Sequence, residues 1–284
     1  MDQRIINLYD EYTHAPLTRG EFIRRLALIT GSITAALTIL PMIEVNAANA
    51  DITGDKDLFT ERITYPGVPG NMEAYVARPK KKRKKYPAII IIHENRGLNA
   101  HIEDVARRAA REGFLAIAPN ALAAIGAKPA NEDEARQKYQ ELKAENNLQN
   151  FINVFDYIAT RKDQNGNVGC VGFCWGGGMS NDLAVNVSKL KAAVAFYGRQ
   201  PKAEDVAKIK AAVQLHYGGL DERINAGIPA YEEALKKNNI TYELYIYDGV
   251  NHAFHNDTAP ARYNEAAAKL AWERTITFFK KYVL

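Results

Sequence analysis

Apolar runs alternate with helically spaced apolar residues over most of the chain. Residues 88–92 form a continuous apolar run, which is typical of a strand buried on both faces of a sheet. Apolar residues then recur at helical spacing over 102–110, before Gly113, a common helix terminator. The alternation continues with further apolar runs at 114–118, 167–171, 192–196 and 212–215 and periodic segments at 148–159 and 266–282. This order predicts a mainly parallel, doubly wound α/β sheet.

Two segments depart from this alternation. Residues 61–65 and 72–77 flank a turn-forming stretch rich in proline and glycine, which predicts an antiparallel strand pair ahead of the parallel sheet. Residues 120–147 form a polar, charged connection that is longer than usual. Its charges recur at helical spacing, so we interpret it as a solvated surface helix; the alternative is a cover over a pocket.

The most informative motif is Gly172-Phe173-Cys174-Trp175-Gly176-Gly177, which lies between a predicted strand and a predicted helix. A nucleophile between glycines at such a junction is typical of the nucleophile elbow of α/β-hydrolases. The turn is so tight that side chains at the flanking positions would clash, and the central residue is held in a strained, exposed conformation. Cys174 is therefore the candidate nucleophile, whereas Cys170 in the preceding strand is interpreted as core.

An elbow enzyme needs an acid and a histidine later in the chain, in that order. Asp221 follows the apolar run 212–215 and a glycine turn, and His252 follows the alternating segment 242–247. Both candidates thus come after the carboxyl ends of predicted strands, where open α/β sheets place their active sites. The order and the spacing predict a Cys174–His252–Asp221 triad.

With these residues in place, the chain resembles the dienelactone hydrolase family over roughly residues 60–284. The elbow of that family carries cysteine followed by x-Gly-Gly, as Cys174-Trp175-Gly176-Gly177 does here. The resemblance implies an α/β-hydrolase fold. It also implies a role for Glu94, which follows the strand at 88–92: the corresponding family glutamate keeps the thiol protonated at rest.

The fold type and the resemblance together suggest the remaining site residues. The backbone N–H groups of Trp175 and Asn95 are the expected oxyanion donors. Arg96 and Phe254 are the candidate substrate contacts. The family binds a substrate carboxylate partly through an arginine shortly after the histidine, and residues 253–257 contain none. We therefore carry over the reaction class, ester or lactone hydrolysis, and not the dienelactone substrate.

The first fifty residues have a different pattern. A basic stretch ending in Arg24-Arg25 leads into an uncharged run over 26–40, and the small-residue run 47–50 follows. These are the parts of a secretory signal, and the arginine pair indicates the twin-arginine route. We predict a leader over 1–50, a single catalytic domain over 51–284, and export to the periplasm. The alternative is an uncleaved membrane anchor, because about 18 apolar residues nearly span a bilayer.

Composition limits other classes of function. The formal net charge is only +4. Residues 80–85 are all basic, but no aromatic residues interleave them to stack on bases, so we interpret them as a solvated loop and predict no nucleic-acid partner. No cluster has recognisable metal-ligand spacing, and we predict neither a metal nor a cofactor. Membrane contact is expected only through the leader.

The sequence thus predicts a hydrolase that cleaves a small ester or lactone through a cysteine nucleophile. A thioesterase or a small-amide hydrolase is the alternative within the same chemistry, since a Cys–His–Asp triad supports any acyl transfer. A catalytically silent binding module on the same fold is the alternative outside it.

Overall fold

A computed structural model describes residues 1–15, 17–45, 53–81 and 85–284 of the chain. Its centre is one sheet of eight strands. In chain order the strands are β1 (Leu58–Tyr65), β2 (Met72–Pro79), β3 (Tyr86–Ile92), β4 (Leu115–Asn120), β5 (Gln164–Phe173), β6 (Ala192–Phe196), β7 (Ala212–Gly218) and β8 (Tyr242–Tyr247).

The strands are ordered β1-β2-β4-β3-β5-β6-β7-β8 across the sheet. Strands β1 and β2 pair antiparallel, and β2 also pairs antiparallel with β4. From β4 to β8 every pairing is parallel. This topology confirms the predicted α/β-hydrolase fold with an antiparallel N-terminal pair. The carboxyl ends of the parallel strands therefore share one edge of the sheet, where the candidate residues gather.

Strand β3 shows why the central strands read as continuous apolar runs. All of its residues are buried. Ala88, Ile90 and Ile92 belong to the hydrophobic cluster on one face of the sheet, and Ile89 and Ile91 belong to the cluster on the other. Successive side chains of a strand point to opposite faces, so a strand covered on both sides is apolar at every position.

Ten α-helices occur within the described residues. They are α1 (Gln3–His14), α2 (Arg19–Thr30), α3 (Ile33–Ile43), α4 (Ala100–Arg111), α5 (Glu132–Tyr139), α6 (Ala144–Thr160), α7 (Trp175–Asn186), α8 (Glu222–Asn225), α9 (Ile228–Lys237) and α10 (Glu265–Tyr282). Helices α6, α7 and α9 contribute to the cluster on one face, and α4 and α10 to the cluster on the other. The sheet is thus doubly wound, as predicted.

The N-terminal helices α1, α2 and α3 form a hydrophobic cluster of their own, around Tyr9, Tyr12, Phe22 and Leu26. They also contact the rest of the chain: Tyr12 donates to Asp133, and Ala261 packs against the cluster. The sequence pattern set this segment apart as a leader, whereas in the structure it lies against the rest of the chain.

Among the described residues, no single helix is long and apolar enough to cross a membrane; α2 and α3, bent by 109° at the break between them, meet that test only as a pair. The uncharged run of the sequence is divided at Gly31 and Ser32, where α2 ends and α3 begins. The small-residue run 47–50 and residues 82–84 of the basic run lie outside the described residues. Leader cleavage and export stay predictions.

Candidate active site

Cys174 lies at the sharp turn between β5 and α7, with a φ of 56°. A cysteine in this left-handed region is strained, and glycines make the turn possible. A Cβ at Gly172 would overlap the carbonyl of Gly176, and a Cβ at Gly176 would overlap the carbonyl of Ile92 at the end of β3. The amino end of α7 therefore lies directly against the carboxyl end of β3.

We expect Gly172→Ala to prevent the elbow from forming. No flexible side chain can move aside to relieve the overlap, because the atoms it meets are backbone, so the free energy of unfolding should fall by at least about 3 kcal/mol. Urea unfolding measures this loss. The matched control is Gly54→Ala, where an added Cβ meets nothing within 4 Å. Equal stability of the two variants would contradict the elbow geometry.

The predicted acid and base lie side by side. His252 Nδ1 is 2.5 Å from Asp221 Oδ2, and both side chains are buried. The other Asp221 oxygen accepts from the N–H of Ile224 at 3.3 Å, so this carboxylate caps α8 as well as orienting the histidine. His252 Nε2 has no hydrogen-bond partner among the described residues. Because Nδ1 faces Asp221, Nε2 is the nitrogen left for chemistry.

A second histidine contacts the thiol. His14 Nε2, from the end of α1, is 3.1 Å from Cys174 Sγ. Ring nitrogens of His14 and His252 and the sulfur all lie within 4.8 Å of one another. Sequence reasoning missed His14, because it lies in the segment interpreted as a leader, and a lone histidine there carries no motif.

The charges around the sulfur favour a thiolate. Burial by itself would raise the pKa of Cys174, but the positive charges of His14 and His252, with the hydrogen bond to His14, outweigh it and lower that pKa to about 6. Burial would likewise lower the pKa of His252, but the charges of Asp10 and the thiolate and the hydrogen bond to Asp221 raise it to about 10. Thiolate and imidazolium thus stabilise each other.

Three donor atoms so close together could also reach one metal ion. Thiolate and imidazole are ligands that zinc accepts. Here His14 lies at hydrogen-bond distance from the sulfur, and His252 is held through Nδ1 by Asp221. We therefore interpret the three side chains as an acid–base cluster, and the predicted absence of a metal stays a prediction.

Glu94 lies beside this cluster without bonding to the thiol. Its carboxylate accepts from Asn256 Nδ2 at 2.9 Å, and its other oxygen is buried without a partner among the described residues. Glu94 does line a small cavity together with Cys174 and His252. The side chain that hydrogen-bonds the sulfur is His14, so the thiol-gating role of Glu94 stays a prediction.

The two candidate oxyanion donors occupy neighbouring elements. Trp175 is the first residue of α7, so its N–H has no carbonyl within that helix to bond. Asn95 follows β3, whose end lies against the start of α7. The Asn95 side chain has a different partner: its amide donates to the carbonyl of Thr13 in α1 at 2.7 Å.

A cavity of about 350 Å³ opens onto Cys174 and His252. Its wall includes Trp175, Tyr197, Arg199 and residues of three further segments of the chain: Thr13, His14 and Ala15; Arg136, Tyr139, Gln140 and Leu142; and Arg223 and Ile224. The hydroxyl of Tyr197 is buried without a hydrogen-bond partner among the described residues. The cavity is thus large enough for a small acyl group.

The two predicted substrate contacts, Arg96 and Phe254, do not line this cavity, and their role stays a prediction. Arg96 is buried, its guanidinium pairs with Glu132 at 2.7 Å, and it lines the small cavity that Glu94, Cys174 and His252 also line. Phe254 is fully buried and packs on Phe196 and Tyr247. Each neighbours a site residue in sequence, but its side chain is directed into the protein.

The insertion at 120–147 is more than a solvated surface helix. Its helix α5 brings Tyr139 to the cavity wall, and Arg136 from the same helix is buried. The alternative interpretation, a cover over the pocket, describes it better. Its charges misled the sequence reasoning because they pair with the N-terminal segment, as Asp133 does with Arg19 at 2.8 Å.

Comparisons with known proteins agree with this architecture. The model of the dienelactone hydrolase family matches residues 72–283. A protein of Escherichia coli O157:H7, provisionally named carboxymethylenebutenolidase, is 33% identical over 245 residues, which are 81% of this chain and 90% of the relative. A relative of the same name from Saccharolobus solfataricus is 30% identical over 78% of this chain and 98% of its own length.

A solved structure gives the same result. The crystal structure of a protein from Klebsiella pneumoniae subsp. pneumoniae, provisionally named dienelactone hydrolase, superposes with a TM-score of 0.72 at 30% identity. The match covers 79% of this chain and 99% of that one. The chain therefore belongs to the dienelactone hydrolase family of carboxylic ester and lactone hydrolases.

Proposed function

We propose that the protein hydrolyses a small carboxylic ester or lactone through a thioester formed on Cys174. The observation that carries the proposal is the position of this thiol: it lies at a strained elbow and faces the His252–Asp221 pair. A cysteine that served only as a small apolar residue of the core would need neither the strained backbone nor neighbouring charges that stabilise its thiolate.

In the acylation step the Cys174 thiolate attacks the carbonyl carbon of the substrate. The carbonyl electron pair moves onto oxygen, and the N–H groups of Trp175 and Asn95 donate to that oxyanion. When the tetrahedral intermediate collapses, the carbon–oxygen ester bond breaks, and the leaving alkoxide takes a proton from His252. A lactone differs only in that its alcohol stays attached to the acyl group.

In the deacylation step the neutral His252 takes a proton from water, and the resulting hydroxide attacks the thioester carbon. The carbon–sulfur bond breaks, and its electron pair returns to the sulfur as the thiolate. Asp221 keeps the proton on His252 Nδ1 throughout, so that Nε2 is always the exchanging atom. The acid leaves, and the resting thiolate–imidazolium pair is restored.

The cavity wall supports a small, neutral or weakly polar acyl group. Three arginines reach it, and each already has a partner. Arg199 pairs with Asp182, Arg223 lies 3.6 Å from Asp10, and Arg136 donates to backbone carbonyls. A substrate carboxylate would therefore compete with these partners for the guanidinium groups.

The direct test is to trap the acyl-enzyme. The protein is mixed with a short-chain aryl ester, quenched in acid within a turnover, and analysed by intact mass and peptide mapping. We expect one acyl group on Cys174 and none on Cys170. Turnover without any cysteine adduct, or with an adduct on another residue, would contradict the proposal. Parallel assays with a thioester and a small amide show which acyl transfer is fastest.

The low pKa of Cys174 leads to a second testable prediction, about the pH dependence of its alkylation. Only the thiolate is alkylated, so the iodoacetamide rate should rise through about pH 6 and then level off. In urea, where the histidines no longer face the sulfur, the rise should move to about pH 8.5, the ordinary range of a free thiol. Cys170→Ala as background leaves one reactive thiol. A folded-state rise near pH 8.5 would show that the thiolate is not stabilised.

A further inference from the structure

We propose that helix α1 is a permanent part of the active site and that His14 is a catalytic residue, a second histidine acting on Cys174. The proposal rests on the proposed function, since it assigns His14 to the same thioester chemistry. The proposal also predicts that the N-terminal segment is retained, because an enzyme cleaved after it would lack His14.

His14, like His252, has an aspartate on the Nδ1 side of its ring, although its hydrogen bond goes to the backbone carbonyl of that aspartate. His14 Nδ1 is 2.8 Å from the carbonyl of Asp10 and 3.4 Å from the Asp10 carboxylate. With its proton held at Nδ1, the ring presents Nε2 to the sulfur at 3.1 Å. Two aspartate–histidine pairs, Asp10–His14 and Asp221–His252, thus face one thiol from different elements.

The two imidazoles also share their surroundings. Their ring centroids are 4.7 Å apart and the rings are nearly perpendicular, at 83°. Burial would raise the pKa of Asp10, but the charges of His252 and His14, followed by those of Arg262 and Arg223, hold that pKa well below its ordinary range. Asp10 is therefore an ionised counter-ion for both rings, and α1 supplies it together with His14.

The catalytic part of the chain has buried side chains that hold α1 in place. Arg136 donates to the carbonyls of Tyr12, Ala15 and Leu17 at 3.1 to 3.3 Å. Arg262 donates to Asp10 at 3.3 Å. Both arginines are less than a tenth exposed, and a buried cation deprived of its partners is costly. Removal of α1 would deprive both of these acceptors.

The segment forms a wall of the cavity and does not fill it. Thr13, His14 and Ala15 line the 350 Å³ cavity alongside Cys174 and His252. Because the sulfur still opens onto this space, a substrate can reach it with α1 bound. This arrangement fits a constituent of the site and not an inhibitory plug.

With two imidazoles, proton transfer and stabilisation of the thiolate can be performed by different histidines. With a single histidine, one ring would have to do both in turn. His252 exchanges protons with the leaving alcohol and with water. His14 donates its Nε2–H as a hydrogen bond to the sulfur, from which it is 3.1 Å away. In deacylation the carbon–sulfur bond breaks with its electron pair on sulfur, so this hydrogen bond stabilises the leaving thiolate while His252 stays neutral to accept the water proton.

The test uses the full-length protein and compares His14→Ala and His14→Gln with wild type. In His14→Ala we expect kcat to fall about a hundredfold and the acyl-enzyme to accumulate. The pH at which the alkylation rate of Cys174 rises should become higher. Added imidazole should restore part of kcat. Glutamine can donate a hydrogen bond but carries no charge. We therefore expect His14→Gln to restore the folding stability lost in His14→Ala more fully than it restores the low pH of the Cys174 alkylation rise. Glu11→Ala, which removes an exposed side chain from the same helix, controls for disturbance of α1.

Wild-type kcat and an unchanged alkylation profile in a folded His14→Ala would overturn the inference. If the wild type itself forms no adduct on Cys174, the proposed function fails instead, so the two failures are distinguishable. The intact mass of the active protein purified from cells that make the full chain provides a second test. We expect α1 to be retained; full activity in a form that has lost residues 1–50 would overturn the inference.

Discussion

Replacing Cys174 by alanine is expected to reduce ester hydrolysis to background, a fall in kcat of at least about a thousandfold. The alanine cannot form a thioester, and the histidines next to it have no other nucleophile to activate. The second cysteine offers no substitute, because Cys170 is fully buried in β5 and burial raises its pKa to about 12. Initial rates with a short-chain aryl ester measure the effect.

Cys170→Ala is the matched control for this variant. It removes the other thiol, whose sulfur contacts Ser180 Oγ at 3.2 Å, and it leaves the elbow intact. We expect it to keep near wild-type kcat with a modest loss of stability. Equal turnover by Cys174→Ala and wild type would show that the nucleophile lies elsewhere. If both cysteine variants lost activity, circular dichroism would tell a folding defect from a catalytic one.

Asp221→Asn is expected to lower kcat/KM by about a thousandfold to ten-thousandfold, the range seen when a catalytic histidine is held in the wrong tautomer. The asparagine oxygen can still accept from Ile224, so the cap of α8 survives. Its amide then faces His252 Nδ1 as a donor, which forces the ring proton onto Nε2. A protonated Nε2 on a neutral ring cannot accept a proton from water.

The same variant should also change the thiol. His252 stabilises the Cys174 thiolate by its charge, and Asp221 helps to keep that charge, so the alkylation rise should move to higher pH. Asp205→Asn, which removes a partly exposed carboxylate paired with Lys208, is the control and should change neither property. A folded Asp221→Asn with wild-type kcat/KM would exclude this aspartate from the mechanism.

The fold and the core of the site were predictable because their signals are local. The uninterrupted run in β3 requires burial on both faces. The glycines around Cys174 permit contacts between backbones that no other residue allows. Asp221 and His252 follow strands whose ends share one edge of the sheet, so their meeting follows from topology.

What the sequence did not predict depends on contacts between distant segments. His14 and Cys174 are 160 residues apart, and nothing near His14 in sequence indicates a thiol. Phe254 is two residues from His252, but Ala253 between them has a φ of 62°, and the phenyl ring lies in the core. Arg96 follows Asn95, but its partner Glu132 comes from an insertion whose position over the sheet no local pattern specifies.

His14 and His252 lie on opposite sides of Cys174 in the sequence, and this has a consequence during protein synthesis. Translation releases His14 before Cys174 and His252 after it. Helix α1 can take its final place only after the residues that hold it, Arg136 and Arg262, have been synthesised. Until then neither histidine charge is fixed beside Cys174, and the nascent thiol keeps its ordinary low reactivity. The reactive state proposed for Cys174 thus depends on segments made before and after it, and it forms only once they have come together.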